Sequence, residues 1–385
     1  MKIIIVPCIP KMVGRRYSFA KTLAEQGHEV HYITWDLPYR LSFSQALQHL
    51  KTTLFTKTYA YENFTIHKIS RLPFFWPYIN GWLFKYQIKK IYNQTDADII
   101  FSQGFTNETE VPQDLPLIYD LNDDHAAMAE IYGSIFYRLA YKLLRVRSAI
   151  RRQCRNALAV TVVSDALYEF AKQYNETVFK LPNGVDKAIV EKVKKDRSTH
   201  SRKPYSIIYV TGFNQWTRPI ETIKAIMRLR EDFPAIELTL VGEGTETEKI
   251  KKFIKDNNLK SYVHYLGGVY DREKLFGLIN QSAVGLSISE KNKYRDAAQP
   301  LKVFEYSALG KKVVSTDLEE VKALNLPNVF IFSDNDNKSN LTDAIRASLN
   351  SSNHYRKVGS SILKDYSWRG LSKSLSDIMT RSLKA

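Results

Sequence analysis

Cysteine is nearly absent: Cys8 and Cys154 are the only two in 385 residues, far apart in the chain. That excludes a disulfide framework and fits a reducing compartment. No apolar run is long enough to span a bilayer. The opening Lys2-Ile3-Ile4-Ile5-Val6 is too short for a secretion signal and reads as a strand, so a cytoplasmic protein is expected. There is no zinc-finger spacing, no RNA-binding aromatic signature and no heptad-linked basic region, which leaves a nucleic-acid partner without a motif. Gly14 is the only glycine of the first loop, and without G-x-G-x-x-G a dinucleotide-binding dehydrogenase is disfavoured. Acids are also in deficit. With 56 Lys and Arg against 40 Asp and Glu the net charge is +16, and an anionic membrane surface is the partner class left standing.

What is present is the composition of a soluble globular protein, 44% hydrophobic and 25% charged, and enough chain for two cores. Residues 2–6, a helical pattern from Arg16 to Gln26 with Phe19, Ala20 and Leu23 on one face, and the stretch from Gly27 to Thr34 make a strand–helix–strand unit. Such a unit argues for a parallel sheet. Further strands are expected over 97–102, 116–120, 157–164 and 177–181. After the tight turn at Pro182-Asn183-Gly184, the lysine-rich run 187–203 reads as a linker. The pattern restarts at 206–210, 237–241 and 284–289, and Tyr366-Ser367-Trp368 opens a last helix. The expected division is 1–186, linker 187–203, 204–362 and a C-terminal helix over 363–385.

Two segments of the first half mix basic residues with apolar or aromatic ones. Phe74, Phe75, Trp76, Tyr78, Trp82, Phe84 and Tyr86 crowd together, mixed with Lys85, Lys89 and Lys90. Arg138, Lys142, Arg145, Arg147, Arg151, Arg152 and Arg155 alternate at near-helical spacing with Leu139, Leu143, Leu144, Val146 and Ile150. Both compositions suit the interface of a membrane, while core packing accounts for part of the aromatic run. Arg15 and Arg16 stand at a helix start, against the dipole. Surface solubility explains them, and so would a phosphate or acceptor contact. Asp123, Asp124 and His125 follow a strand's C-terminal end, where open α/β sheets bind ligands. A helix cap from Asn122 or Asp123 is the plainer account; proton transfer or sugar binding is the functional one.

The most informative stretch runs from Asp296 to Thr316. A polar loop leads to Pro300, suited to a first helical turn, then to an apolar face of Val303, Phe304, Ala308 and Leu309, a glycine stop at Gly310 and a strand. Glu305 is the costly residue there. The free amides of the helix start, with Lys302, can hold a phosphate. Glu305, one turn further in, can then accept hydrogen bonds from ribose hydroxyls.

Pro300-Leu301-Lys302-Val303-Phe304-Glu305-Tyr306-Ser307-Ala308-Leu309-Gly310 resembles the nucleotide-sugar motif of GT-B glycosyltransferases of family 4. The resemblance implies two Rossmann-like domains facing a central cleft, with the C-terminal helix crossing back to the first. It implies that Glu305 binds the donor ribose while Pro300, Leu301 and Lys302 face the diphosphate. The loop from Gly212, with Arg218 as its basic residue, completes the diphosphate clamp, and backbone near Val269 seats the base. Asp123, Asp124 and His125 then face the acceptor as the catalytic group. Many members carry E-x7-E, and its first Glu falls at Ala297 here. The implied activity is transfer of a sugar from a UDP- or GDP-linked donor, with retention and without metal or other cofactor. From the composition of the two membrane-suited segments, the expected acceptor is a lipid-linked saccharide of polysaccharide or glycolipid synthesis, at the inner face of the cell membrane. A sugar-nucleotide epimerase and a catalytically silent subunit are the alternatives.

Overall fold

The computed structural model describes residues 1–9, 12, 14–35, 56–69, 71–72, 77–196, 203–333 and 340–385. These residues form two compact units, Met1–Pro182 with Trp368–Ala385, and Asn183–Ser367. Each is built on its own parallel sheet.

The first sheet has eight strands: β1 (Lys2–Val6), β2 (Glu29–Trp35), β3 (Lys57–Tyr61), β4 (Phe64–Ile69), β5 (Ile99–Ser102), β6 (Leu117–Leu121), β7 (Ala159–Val162) and β8 (Val178–Lys180). Their order is β3-β4-β2-β1-β5-β6-β7-β8. All neighbours are parallel except β3, which pairs antiparallel with β4 at the edge. The β3–β4 hairpin escapes sequence reading because its turn uses Glu62 in the left-handed region, φ 50°, in place of a glycine. The strand order reverses between β1 and β5. In an open α/β sheet the crevice outside the strand ends at such a reversal is where ligands sit.

At that edge the two arginines are buried. Arg15 is 4% and Arg16 9% exposed, against the expectation of surface solubility. For Arg15 the reason is Asp120, a fully buried carboxylate at the end of β6. Arg15 donates to it through Nε and Nη2, each at 2.8 Å, and Gln103 and Thr161 donate at 2.5 and 2.7 Å. The same guanidinium also donates to the carbonyls of Leu181 and Pro182.

The second sheet has six parallel strands: β9 (Ser206–Val210), β10 (Glu237–Val241), β11 (Val263–Tyr265), β12 (Val284–Ser287), β13 (Lys312–Thr316) and β14 (Val329–Phe332), ordered β11-β10-β9-β12-β13-β14. Its reversal lies between β9 and β12. Alternation with period two divides the strands between two cores. Ile207 and Tyr209 face one with Leu238, Leu240 and Leu286; Ile208 and Val210 face the other with Val303, Phe304 and Tyr306. Gly285 is a packing requirement, because a Cβ there would lie 2.5 Å from the Tyr306 ring.

The run expected as a linker is in part a helix, Lys187–Lys195, capped by Asp186 and burying Val190 and Val193 against the second unit. The division therefore falls at Pro182, before the lysines. Helix Trp368–Lys384 returns to the first unit, where Trp368 meets Phe19 edge-on and Gln26 donates to the Arg369 carbonyl. The basic segment 138–155 is two helices, not one. They are Ile135–Leu143 and Val146–Asn156, joined through Arg145 at φ 50°.

Removing one partner of a buried ion pair strands the other. Asp120→Ala should lower unfolding free energy by about 3–5 kcal/mol, and Asp120→Leu with Arg15→Met by clearly less than the two single changes together. Urea unfolding of wild type, Asp120→Ala, the two single changes and the double change measures both. A second expectation concerns acid. His67 accepts or donates at 3.0 Å to His31, whose other ring nitrogen meets Glu29, and at 3.1 Å to Thr58. Burial, then the positive charge of His31, pulls the His67 pKa down to about 4. The fold favours the neutral ring, so this contribution is whole above the ordinary value near 6.5 and is lost as pH falls toward 4. Unfolding free energy should drop there by about 1.4 kcal/mol per pH unit, and His67→Gln should flatten that slope.

Candidate functional site

In the second unit the site is built from the sheet outward. Helix Leu301–Ala308 begins at Pro300, which is the cap residue and not the first helical one; no side chain closes that end. Its start is anchored from the turn after Pro182: Asn183 donates its backbone N–H to Gln299 Oε1 at 2.6 Å and its amide to the Gln299 carbonyl at 2.9 Å. At the other end Gly310 takes φ 68°, as a glycine stop requires. The Tyr306 hydroxyl accepts from Val210 N–H at 3.2 Å and fixes the helix to β9.

Glu305 lies one turn in, its side chain 4% exposed. Lys302 donates to Oε2 at 2.6 Å and Arg272 to Oε1 at 2.7 Å. Burial alone would raise its pKa, but the two cations outweigh burial and hold it below the ordinary carboxylate value. The group is therefore an ionised acceptor at neutral pH. Arg272 was not foreseen from the sequence. It opens helix Arg272–Gln281, directly after the Gly267-Gly268-Val269-Tyr270 loop, and the only signal was a basic residue three positions past Val269.

The other residues fall around this cluster unevenly. Val269 packs on the core shared with Val303 and Phe304. Arg218 caps helix Pro219–Leu229 in the left-handed region, φ 52°, and its Nε is engaged by Glu221. At Gly212 a Cβ would meet only ordinary contacts, 3.6 Å from Asn214 and 3.7 Å from the Glu243 carbonyl. The tight glycine is Gly244, in the loop after β10, where a Cβ would lie 2.2 Å from the Phe213 carbonyl. Ala297 is 6% exposed at the end of helix Lys293–Asp296. Nearby Asp296 accepts from the Glu319 N–H at 3.3 Å.

In the first unit, Asp124, and not Asn122 or Asp123, is the cap of helix His125–Tyr132, accepting from Ala127 N–H at 2.9 Å. His125 stacks on Phe105, ring centroids 3.9 Å apart. Both ring nitrogens are shielded from solvent and have no hydrogen-bond partner among the described residues. Burial, then the charge of Arg16, brings its pKa down to about 4, so the ring is neutral at pH 7. Arg16 donates to Cys8 Sγ at 2.9 Å, beside the end of β1. These groups thus gather where the strand order reverses.

The membrane candidates separate. Phe74, Phe75 and Trp76 lie outside the described residues. On helix Pro77–Thr95, Phe84 is core, while Tyr78, Trp82 and Tyr86 are exposed, the last two stacked. Helix Val146–Asn156 is packed: Ala149, Ile150 and Cys154 are buried, and Arg152 binds Glu110. Helix Ile135–Leu143 buries nothing. No described helix is long and apolar enough to cross a membrane.

Two family models match, "Glycosyltransferase Family 4" over residues 17–188 and "Glycosyl transferases group 1" over 190–364. A similar sequence is N-acetyl-alpha-D-glucosaminyl L-malate synthase of Bacillus anthracis, 23% identical over 75% of this chain and 73% of that one. Similar structures include sucrose-phosphate synthase from Thermosynechococcus elongatus, with 14% identity, 99% of each chain covered and a TM-score of 0.70. WaaG, a glycosyltransferase of lipopolysaccharide biosynthesis, also has 14% identity, with 99% of this chain and 100% of that one covered and a TM-score of 0.68. Anabaena HepE, solved with UDP and glucose, has 14% identity, 99% of each chain covered and a TM-score of 0.63. The two parallel-sheet units, the motif around Glu305 and both family matches agree: this chain belongs to the family 4 glycosyltransferases of GT-B fold and is a nucleotide-sugar-dependent enzyme.

Proposed function

We propose that the enzyme moves a sugar from a UDP- or GDP-linked donor to a lipid-linked saccharide in cell-surface polysaccharide or glycolipid synthesis. It does so with retention at the anomeric carbon, without a metal ion, and at the inner face of the cell membrane. The observation that carries the donor half is Glu305, an ionised carboxylate in a buried setting, one turn inside an uncapped helix start. On ribose binding its oxygens exchange a cation for hydroxyl donors. Lys302, released toward the helix amides of Leu301 and Lys302, and Arg218 in its loop then stabilise the departing nucleoside diphosphate. Backbone near Val269 receives the base, and Gly212 leaves room for the sugar phosphate.

The acceptor half rests on Asp123, Asp124 and His125. Retention needs no enzymic base on the acceptor, so these residues position sugar hydroxyls, and the unpartnered nitrogens of neutral His125 offer one donor and one acceptor. The membrane half rests on Trp82, Tyr86 and the uncovered helix Ile135–Leu143. A silent subunit is favoured by one observation, the buried Ala297 at the place of a motif carboxylate. Turnover with a panel of nucleotide sugars separates it from an enzyme.

Glu305→Ala should weaken nucleoside diphosphate binding by about 1.5–3 kcal/mol, the scale of hydrogen bonds to a charged group. Lys302→Ala should cost diphosphate binding far more than nucleoside binding. Calorimetry with the nucleoside and its diphosphate resolves the two. Asp123→Asn and His125→Ala should lower turnover while leaving diphosphate affinity near its original value, and the anomeric proton of the product should report retention by NMR.

A further inference from the structure

Helix Ile135–Leu143 stands against an open recess of about 410 Å³ that neither the donor nor the acceptor residues use. Arg138, Lys142, Arg145, Arg147 and Ser148 line it, and Glu130 is the one acid among its lining residues. Glu130 pairs with Arg147, and Arg138 donates through Nε to the Gly133 carbonyl at 3.0 Å. Lys142 and Arg145 have no carboxylate partner among the described residues. Four cations against one acid in a single recess repel one another unless an anion enters. Helix Val146–Asn156 starts at the same place with Arg145 as cap residue, and no side chain closes its first amides. Guanidinium, ammonium, hydroxyl and helix amides around one space are the donor set for a phosphate.

The source of that phosphate is read from the rim. Ile135 and Phe136 are 81% and 82% exposed, and Leu139 and Leu143 are exposed beside them. Four large apolar side chains on a helix with no buried residue are costly in water and favourable at the acyl boundary, with cations at headgroup level. We propose that the recess is a headgroup site for a phosphate-bearing anionic membrane lipid, with Lys142 and Arg145 as its principal phosphate ligands. The inference rests on the membrane half of the proposed function and adds to it a defined lipid chemistry and place.

The test is sedimentation of the full chain with vesicles of phosphatidylcholine alone or with phosphatidic acid, in parallel with inorganic phosphate and no vesicles. Wild type should bind the anionic vesicles at least tenfold more tightly than the neutral ones. Lys142→Gln with Arg145→Gln should weaken binding to the anionic vesicles roughly thirtyfold, the scale of two surface cations. The control pair Lys252→Gln with Lys255→Gln removes equal charge from the second unit and should stay within about twofold. Ile135→Ser with Phe136→Ser should weaken binding to both kinds of vesicle. An equal loss in the control pair would overturn the headgroup site and leave membrane attraction standing as diffuse charge. Failure of wild type to bind either vesicle would overturn the membrane reading itself. Binding of inorganic phosphate that depends on Lys142 and Arg145, without vesicle binding, would overturn the lipid as source.

Discussion

A carboxylate with no exposure must be answered by charge, and Asp120 is answered so completely that the edge of the first sheet where the strand order reverses is organised around it. Arg15, Gln103 and Thr161 bring together the first helix, the end of β5 and strand β7, while the same guanidinium holds the carbonyls of Leu181 and Pro182 where the chain leaves the unit. The cost of desolvating these ions is met only if every donor keeps its place. Positions that converge on Asp120 are thereby fixed, and the neighbouring Arg16, Cys8 and His125 inherit that rigidity.

The second unit solves a similar problem differently. Its buried carboxylate, Glu305, is held by Lys302 and Arg272, one on its own helix and one on another, with Arg272 46% exposed. A partner that open to water gives up a contact at far smaller cost than Arg15 would. The contrast is one of enclosure: Asp120 is held by partners from several elements, whereas Glu305 is held by two cations that are partly open to water. The helix beneath Glu305 stays put because Tyr306 fills the space that Gly285 leaves open and binds β9.

The positive excess is likewise not one thing. Arg152 with Glu110, Lys85 with Glu110 and Arg71 with Glu108 are internal braces of the first unit. Arg151 and Arg155 lie over the ring of Tyr174. Arg138, Lys142 and Arg145 instead line one recess, beside a helix among the described residues that buries no residue. A net charge of +16 says nothing of this distribution.

The sequence by itself determined the parallel sheets, the helix after Pro300 with its stop at Gly310, and the place of Glu305, because hydrophobic period, glycine and proline act over a few residues. It also carried the family, through the order of those local signals. Only the tertiary structure decided that Arg15 is buried, since its partner Asp120 lies 105 residues away. It decided that Lys187–Lys195 belongs to a core, that the arginine-rich segment breaks at Arg145, and that Arg272 reaches Glu305 across 33 residues. In each case the deciding energy is a long-range contact or a burial, and neither is written in the spacing of neighbours.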